Sequence, residues 1–210
     1  MLSLYLEDLA YIHDVGFCYL AESAPPMVID ALKDAGISSG TIVDLGCGGG
    51  VSAHLFHQAG FRVLGVDASK AQISMARERV PGGEFRVGSL AEVEIPPCVA
   101  VTAIGEVFNY RVDPVDRGAD RDRLFKRIYS ALQSGGILLF DSATPPPMSS
   151  SPQRTFSEGA GWAVLVEART DASKFILSST TLRSRPYGAQ QRCASARRWR
   201  HFGKQLLAKR

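Results

Sequence analysis

Thr41-Ile42-Val43-Asp44-Leu45-Gly46-Cys47-Gly48-Gly49-Gly50 decides how this chain is read: a β-branched run closes on an acidic residue, and glycine then recurs at alternate positions before a helical pattern begins. A strand that reverses into a helix within a few residues, with its backbone close to a ligand, needs positive φ and no Cβ in the way. Gly46, Gly48 and Gly50 supply this, so the stretch reads as the loop of a nucleotide-type cofactor site. The dinucleotide pattern G-x-G-x-x-G does not fit, because counting from Gly46 its third glycine falls on Val51.

A ribose-binding carboxylate is expected at the tip of the next strand, about 20 residues on. Phe61-Arg62-Val63-Leu64-Gly65-Val66-Asp67 provides one, and a helix follows from Ala68 with Ser69 as its predicted N-cap. Phe85-Arg86-Val87-Gly88-Ser89-Leu90 reads as a third strand and its turn, and Val99 to Ile104 as a fourth strand that leads into Gly105-Glu106-Val107-Phe108-Asn109-Tyr110. An amphipathic helix from Arg121 to Gln133 precedes a fifth strand, Gly135-Gly136-Ile137-Leu138-Leu139-Phe140-Asp141.

With these motifs in this order, residues 1 to about 178 resemble the class I S-adenosylmethionine-dependent methyltransferases, whose first motif is an acidic residue followed by G-x-G-x-G. The resemblance implies an α/β, Rossmann-like fold: a mostly parallel sheet with helices on both faces, a helical N-terminal lid and a β-hairpin cap. It also implies methyl transfer from S-adenosyl-L-methionine to a small-molecule acceptor. Asp44 would meet the ammonium of the donor, Gly46, Cys47, Gly48 and Gly50 its methionine part, Asp67 and Ala68 its ribose, and Ser89 and Leu90 its adenine. The family usually has an acidic residue where Ser89 stands, and a hydroxyl can still bond the adenine amino group. Glu106 lies beside the methyl-donor position and is counted among the donor-binding residues as well. Glu106 and the lid residue His13 are the candidates for proton transfer, with Asn109, Tyr110 and Asp141 nearby at the strand ends; Tyr11, His13 and Phe17 are expected in the pocket wall.

The 210 residues, 45% of them hydrophobic, suffice for one substantial core, and strands alternating with helices place it in the α/β class. No run of 18 apolar residues is present, and Glu7 and Asp8 interrupt the N-terminus, so neither a membrane span nor a secretory signal is expected and the cytoplasm is the default. Cys18, Cys47, Cys98 and Cys193 form no CxxC pair, which predicts free thiols rather than a zinc site or a disulfide framework. No metal is expected, since His54 and His57 share a helix face without a third ligand nearby.

The methyltransferase domain is expected over 1–182, as a helical lead-in (1–40), a cofactor core (41–145) and a β cap (155–182). The lead-in reads as two helices broken near Gly16 and at Pro25-Pro26, the second from Met27 to Ala35. Trp162-Ala163-Val164-Leu165-Val166-Glu167-Ala168 and Lys174 to Leu182 read as a hairpin, after a proline-rich loop at 144–152. From Arg183 the chain carries nine Lys or Arg and no Asp or Glu, against a net charge of −6 for the remainder. This basic tail, 183–210, does not map onto the family's last helix and strands. It reads either as the product of a shifted reading frame or as an arm for nucleic acid, the less favoured partner, because the fourth strand lacks the Asn-Pro-Pro-aromatic motif of nucleic-acid methyltransferases. A truncated or degenerate methyltransferase fold without activity is the alternative function; oligomeric state is not legible.

Overall fold

The computed structural model describes residues 7–90, 92–109, 117–143, 153–171, 174–183 and 202–208. Two helices, α1 (Glu7–Gly16) and α2 (Tyr19–Asp34), lead into alternating elements: β1 (Thr41–Leu45), α3 (Val51–Gln58), β2 (Arg62–Asp67), α4 (Lys70–Arg79), β3 (Glu84–Val87), β4 (Cys98–Ala103), a short 3-10 turn at Val107–Asn109, α5 (Arg117–Ala131) and β5 (Leu132–Ala143). Then follow β6 (Gln153–Gly159), β7 (Trp162–Asp171), β8 (Lys174–Arg183) and β9 (Phe202–Ala208).

The main sheet has the order β3-β2-β1-β4-β5-β9, parallel except for β9. The chain winds outward from β1 through β2 to β3 and then returns to β4 on the other side of β1, which makes the carboxyl ends of β1 and β4 the switch point where ligands bind in such sheets. Strands buried on both faces need apolar side chains on both, and β1 supplies them in alternation. Ile42 packs with Val28 and Leu32 of α2, Phe56 of α3 and Ile73 of α4, while Val43 and Leu45 join Leu124 and Ile128 of α5. Helices therefore cover both faces, as expected. Phe108, Phe125 and Phe140 form an aromatic cluster on the α5 side, with ring centroids 5.3 to 5.7 Å apart.

Pro25 and Pro26 do not break the lead-in; both lie inside α2. A proline inside a helix removes the N–H that would reach the carbonyl four residues back. For Pro25 that carbonyl belongs to Ala21, and it accepts the Ser52 hydroxyl of α3 at 2.9 Å. A side chain 31 positions away thus replaces the missing donor, and the break expected from local sequence does not occur.

The helix expected to reach Gln133 stops at Ala131, and β5 begins at once at Leu132. Gly135 and Gly136, read as the start of the fifth strand, fall in an irregular stretch of β5, where the register against β4 shifts between Cys98 and Ala100; Gly135 takes a φ of 77°. The expected hairpin is present as β7 and β8, with β6 added as a third antiparallel strand that the sequence does not signal. The tail supplies β9, which pairs antiparallel with β5 from Ile137↔Ala208 to Ala143↔Phe202. Cys47 and Cys98 are buried free thiols, but Cys18 is disulfide-bonded, contrary to the free thiol expected. The proline-rich loop at 144–152 lies outside the described residues.

Candidate active site

Asp44, the residue before the end of β1, lies directly across from Thr102 of β4, at the switch point. Thr102 Oγ1 donates to Asp44 Oδ1 at 2.7 Å, whereas Oδ2 is buried with no hydrogen-bond partner. Burial pushes the Asp44 carboxyl up to about 7, and the charge of Asp67 adds to the rise while the Thr102 bond opposes it. A buried carboxylate oxygen without a donor is costly. It is also a ready acceptor for a cation brought in by a ligand.

The glycine loop has the predicted backbone. Gly46, Gly48 and Gly50 have φ of 68°, 52° and 79°, the left-handed region that side chains avoid. The loop is tied to β2 through Gly46 N–H donating to Val66 O at 2.7 Å and Gly48 N–H donating to Asp67 Oδ2 at 3.0 Å. Asp67 Oδ1 accepts from Ser69 N–H at 2.8 Å, so this carboxylate braces both the loop and the start of α4, where Ser69 caps through Gln72 N–H as expected. Burial raises the Asp67 carboxyl, and the two backbone donors oppose it. Cys47 is buried within the loop, and burial likewise drives its thiol well upward. Gln72 is buried with an unpartnered Oε1 facing Gly48. Two unsatisfied acceptors thus lie at this loop.

Gly49, the glycine that the D-x-G-x-G-x-G pattern leaves unexplained, does not have positive φ. It is glycine for space: a Cβ there would run into Asp14 of α1 and Arg79 of α4.

At the turn after β3, Gly88 N–H donates to Asp67 O at 2.9 Å, which joins this turn to the tip of β2. Ser89 and Leu90 are half-buried in that turn. Arg127 of α5 holds the next residues from outside, donating to Leu90 O at 2.6 Å and Val93 O at 3.1 Å. Ala68 is exposed beside Asp67.

Glu106 is the only described non-glycine residue with positive φ, at 61°. Asp141, fully buried, accepts from Gly105 N–H at 2.7 Å and from Glu106 N–H at 3.2 and 3.3 Å. Its carboxylate is committed to shaping this loop, which removes it as a candidate base. Burial raises the carboxyl of Glu106, and Asp141 adds to the rise. Burial pushes the phenol of Tyr19, at the start of α2, upward, and the negative charges of Glu106 and Asp141 add to the rise. The sequence reading missed Tyr19 because an aromatic at the start of a helix gives no local sign of two carboxylates from later strands. Tyr110 and the side chain of Asn109 lie outside the described residues.

His13 is enclosed in α1 with its imidazole driven down by burial, against an opposing effect of Asp14. It stacks on Phe17, which meets Trp162 of β7, each pair with centroids 6.3 Å apart. Lid and cap therefore pack on each other. The structure gathers Asp44, the glycine loop, Asp67 and the Ser89 turn into one continuous arrangement, and His13 lies on the lid helix beside Asp14.

A methyltransferase domain family matches residues 42–136. Among characterised sequences, the chain is 29% identical over 113 residues to a probable S-adenosylmethionine-dependent methyltransferase of Mycolicibacterium smegmatis, covering 54% of this chain and 41% of that protein. It is 32% identical over 134 residues to a trans-aconitate 2-methyltransferase of Paracidovorax citrulli, covering 63% of this chain and 49% of that protein. The chain thus spans less than half the length of these relatives. DesVI of Streptomyces venezuelae superposes with a TM-score of 0.68 at 16% identity, over 97% of this chain and 84% of that one. A methyltransferase from Clostridium acetobutylicum does so with a TM-score of 0.66 at 14% identity, over 95% and 78%. Such distant likenesses speak for the fold. Residues 42–136 thus match a methyltransferase domain, and the sheet order and the superposed structures give the chain the Rossmann-like fold of such domains.

Proposed function

We infer that this protein moves a methyl group from S-adenosyl-L-methionine to a small-molecule acceptor by in-line displacement at carbon. The observation that carries the reading is the buried, partnerless Oδ2 of Asp44 beside a glycine loop braced by Asp67. A cationic ammonium satisfies that oxygen, and the second acceptor at the loop, Gln72 Oε1, faces the same cradle. In this reading Asp44 holds the ammonium, Gly46 to Gly50 with Cys47 the methionine part, Asp67 and Ala68 the ribose, and Ser89 and Leu90 the adenine. The bound donor supplies an electrophilic methyl on a sulfonium, and much of the acceleration of such a displacement comes from positioning and desolvation.

The protein's own part is to seat the acceptor and manage its proton. Glu106, held in its positive-φ backbone by Asp141 and with its carboxyl raised by burial, is the group placed to accept a proton from the acceptor. Tyr19 orients the acceptor from the lid side. His13, whose imidazole burial drives down, is the second candidate for proton transfer from the lid side. A small molecule is supported by what a relative and a fold neighbour are named for, trans-aconitate and, for KedS8 of Streptoalloteichus, a sugar. Among the described residues no helix is long and apolar enough to cross a membrane, and we place the protein in the cytoplasm. Incubation with methyl-labelled donor and a panel of small carboxylic acids, amino sugars and phenols tests this: label should move to one class, and transfer to none by protein that binds the donor would refute it.

A further inference from the structure

Arg79, at the end of α4, forms a clamp that the reading so far leaves without a purpose. Its Nη1 and Nη2 donate to Asp14 Oδ1 and Oδ2 at 2.8 and 2.7 Å, a two-pronged pair, and Nη1 donates as well to Gly49 O. Asp14 lies on the lid helix, Gly49 in the glycine loop. The Asp14 side chain is 7% exposed and that of Arg79 30%, so water screens the pair much less than it screens a surface ion pair. The fork geometry is rigid: a guanidinium that chelates a carboxylate cannot follow an independent movement of a third acceptor without losing a bond. Gly49 carries the same message from the other side, since its missing Cβ is what allows Asp14 and Arg79 to sit on the loop.

The contacts continue past the clamp. Phe17, just after α1, meets Trp162 of β7, and a Cβ added to Gly16 would lie 2.6 Å from the Trp162 ring. An unbroken set of packed groups therefore runs from the glycine loop through Arg79 and Asp14 along the lid to the cap.

We propose that Arg79 is a positioning residue which, by bridging Asp14 and the Gly49 carbonyl, couples the seating of the lid helix to the conformation of the cofactor loop, so that donor binding and closure of the acceptor side are one event. This rests on the donor-site reading above. Donor held in the loop fixes Gly49 O, Gly49 O fixes the guanidinium, and the guanidinium holds α1 down through Asp14. Conversely, a lid that lifts removes a donor from Gly49 O and loosens the loop.

The test is amide hydrogen exchange of the full chain with and without saturating S-adenosylhomocysteine, alongside its binding to Asp14→Asn, Arg79→Met, Arg79→Lys and the Asp14→Asn/Arg79→Met double variant. In the wild type the ligand should slow exchange in residues 46–51 and, to a comparable degree, in 8–16. Arg79→Met should weaken binding about tenfold, the worth of one charge-assisted bond, and abolish the protection of 8–16 while keeping that of the loop. Arg79→Lys should restore part of the affinity, and the double variant should bind no worse than Arg79→Met. Protection confined to 46–51 in the wild type overturns the coupling even if no variant folds, as does equal lid protection in Arg79→Met. Absence of both heat and protection in the wild type rejects the donor site itself and the coupling with it.

Discussion

Asp44 shows how far one residue can set the behaviour of a site. Its carboxyl, ordinarily near 3.8, is raised to about 7 by burial, with Asp67 contributing in the same direction and Cys47 beside it as a neutral thiol. Because the folded pKa lies above the unfolded one, the folded protein holds an extra proton between those values. Asp44 therefore lowers stability progressively as pH rises from about 4 to about 7, by an amount on the order of a few kcal/mol, and costs no more above that. A ligand ammonium reverses the preference by favouring the carboxylate. We predict that affinity for S-adenosylhomocysteine rises with pH up to about 7 and that binding at pH 6 releases a proton, measurable by titration in two buffers of different ionisation enthalpy. Asp44→Asn should bind weakly and flatten the profile. Ser52 is a second case at this scale, for its hydroxyl serves the carbonyl that Pro25 deprives. Ser52→Ala should cost about 1–2 kcal/mol by denaturant unfolding, and less than that in a Pro25→Ala background, where the backbone supplies its own N–H.

Loops and helices divide into those legible from their own residues and those that need a distant partner. The glycine loop was legible because positive φ at Gly46, Gly48 and Gly50 is a local demand, and so was the Ser69 cap. Asp67 was legible as a strand-tip carboxylate, though not as the brace of the loop. Gly49, Tyr19 and the continuity of α2 through Pro25 were not, since each depends on a group brought in by the fold: Asp14 and Arg79, Glu106 and Asp141, and Ser52. Arg127 belongs with them, as an α5 side chain that fastens the turn carrying Ser89 and Leu90 through two carbonyls. Its guanidinium pre-forms the adenine side of the proposed site. Arg127→Met should raise the dissociation constant of S-adenosylhomocysteine roughly tenfold, equivalent to one lost charge-assisted bond, and narrow its preference over the inosine analogue; an unchanged preference would assign Arg127 to stability alone.

At the scale of the whole molecule, the parallel sheet and its switch point follow from the strand order that the motifs already spelled out, whereas the edge beyond β5 does not. The residues from Arg183 onward hold no periodic pattern until Phe202, and it is there that β9 lies against β5. The hydrophobic residues Phe202, Leu206 and Leu207 fall within that strand, but the basic composition around them gave no sign that it closes the sheet edge. A chain ended at residue 201 leaves β5 as an open edge, and we predict a shift from a single species to aggregates in size-exclusion chromatography. The proposed donor site brings together the glycine loop, braced by Asp67 through Gly48 and Ser69, and Asp44, held by Thr102. That site is tested most directly by calorimetric titration of the full chain and of Asp67→Ala with S-adenosylhomocysteine. The account predicts binding at about the micromolar level in the wild type, weaker by at least about 100-fold in the variant, which loses the ribose contact and the brace of the glycine loop together. Equal binding by both proteins, or none by the folded wild type, would contradict it.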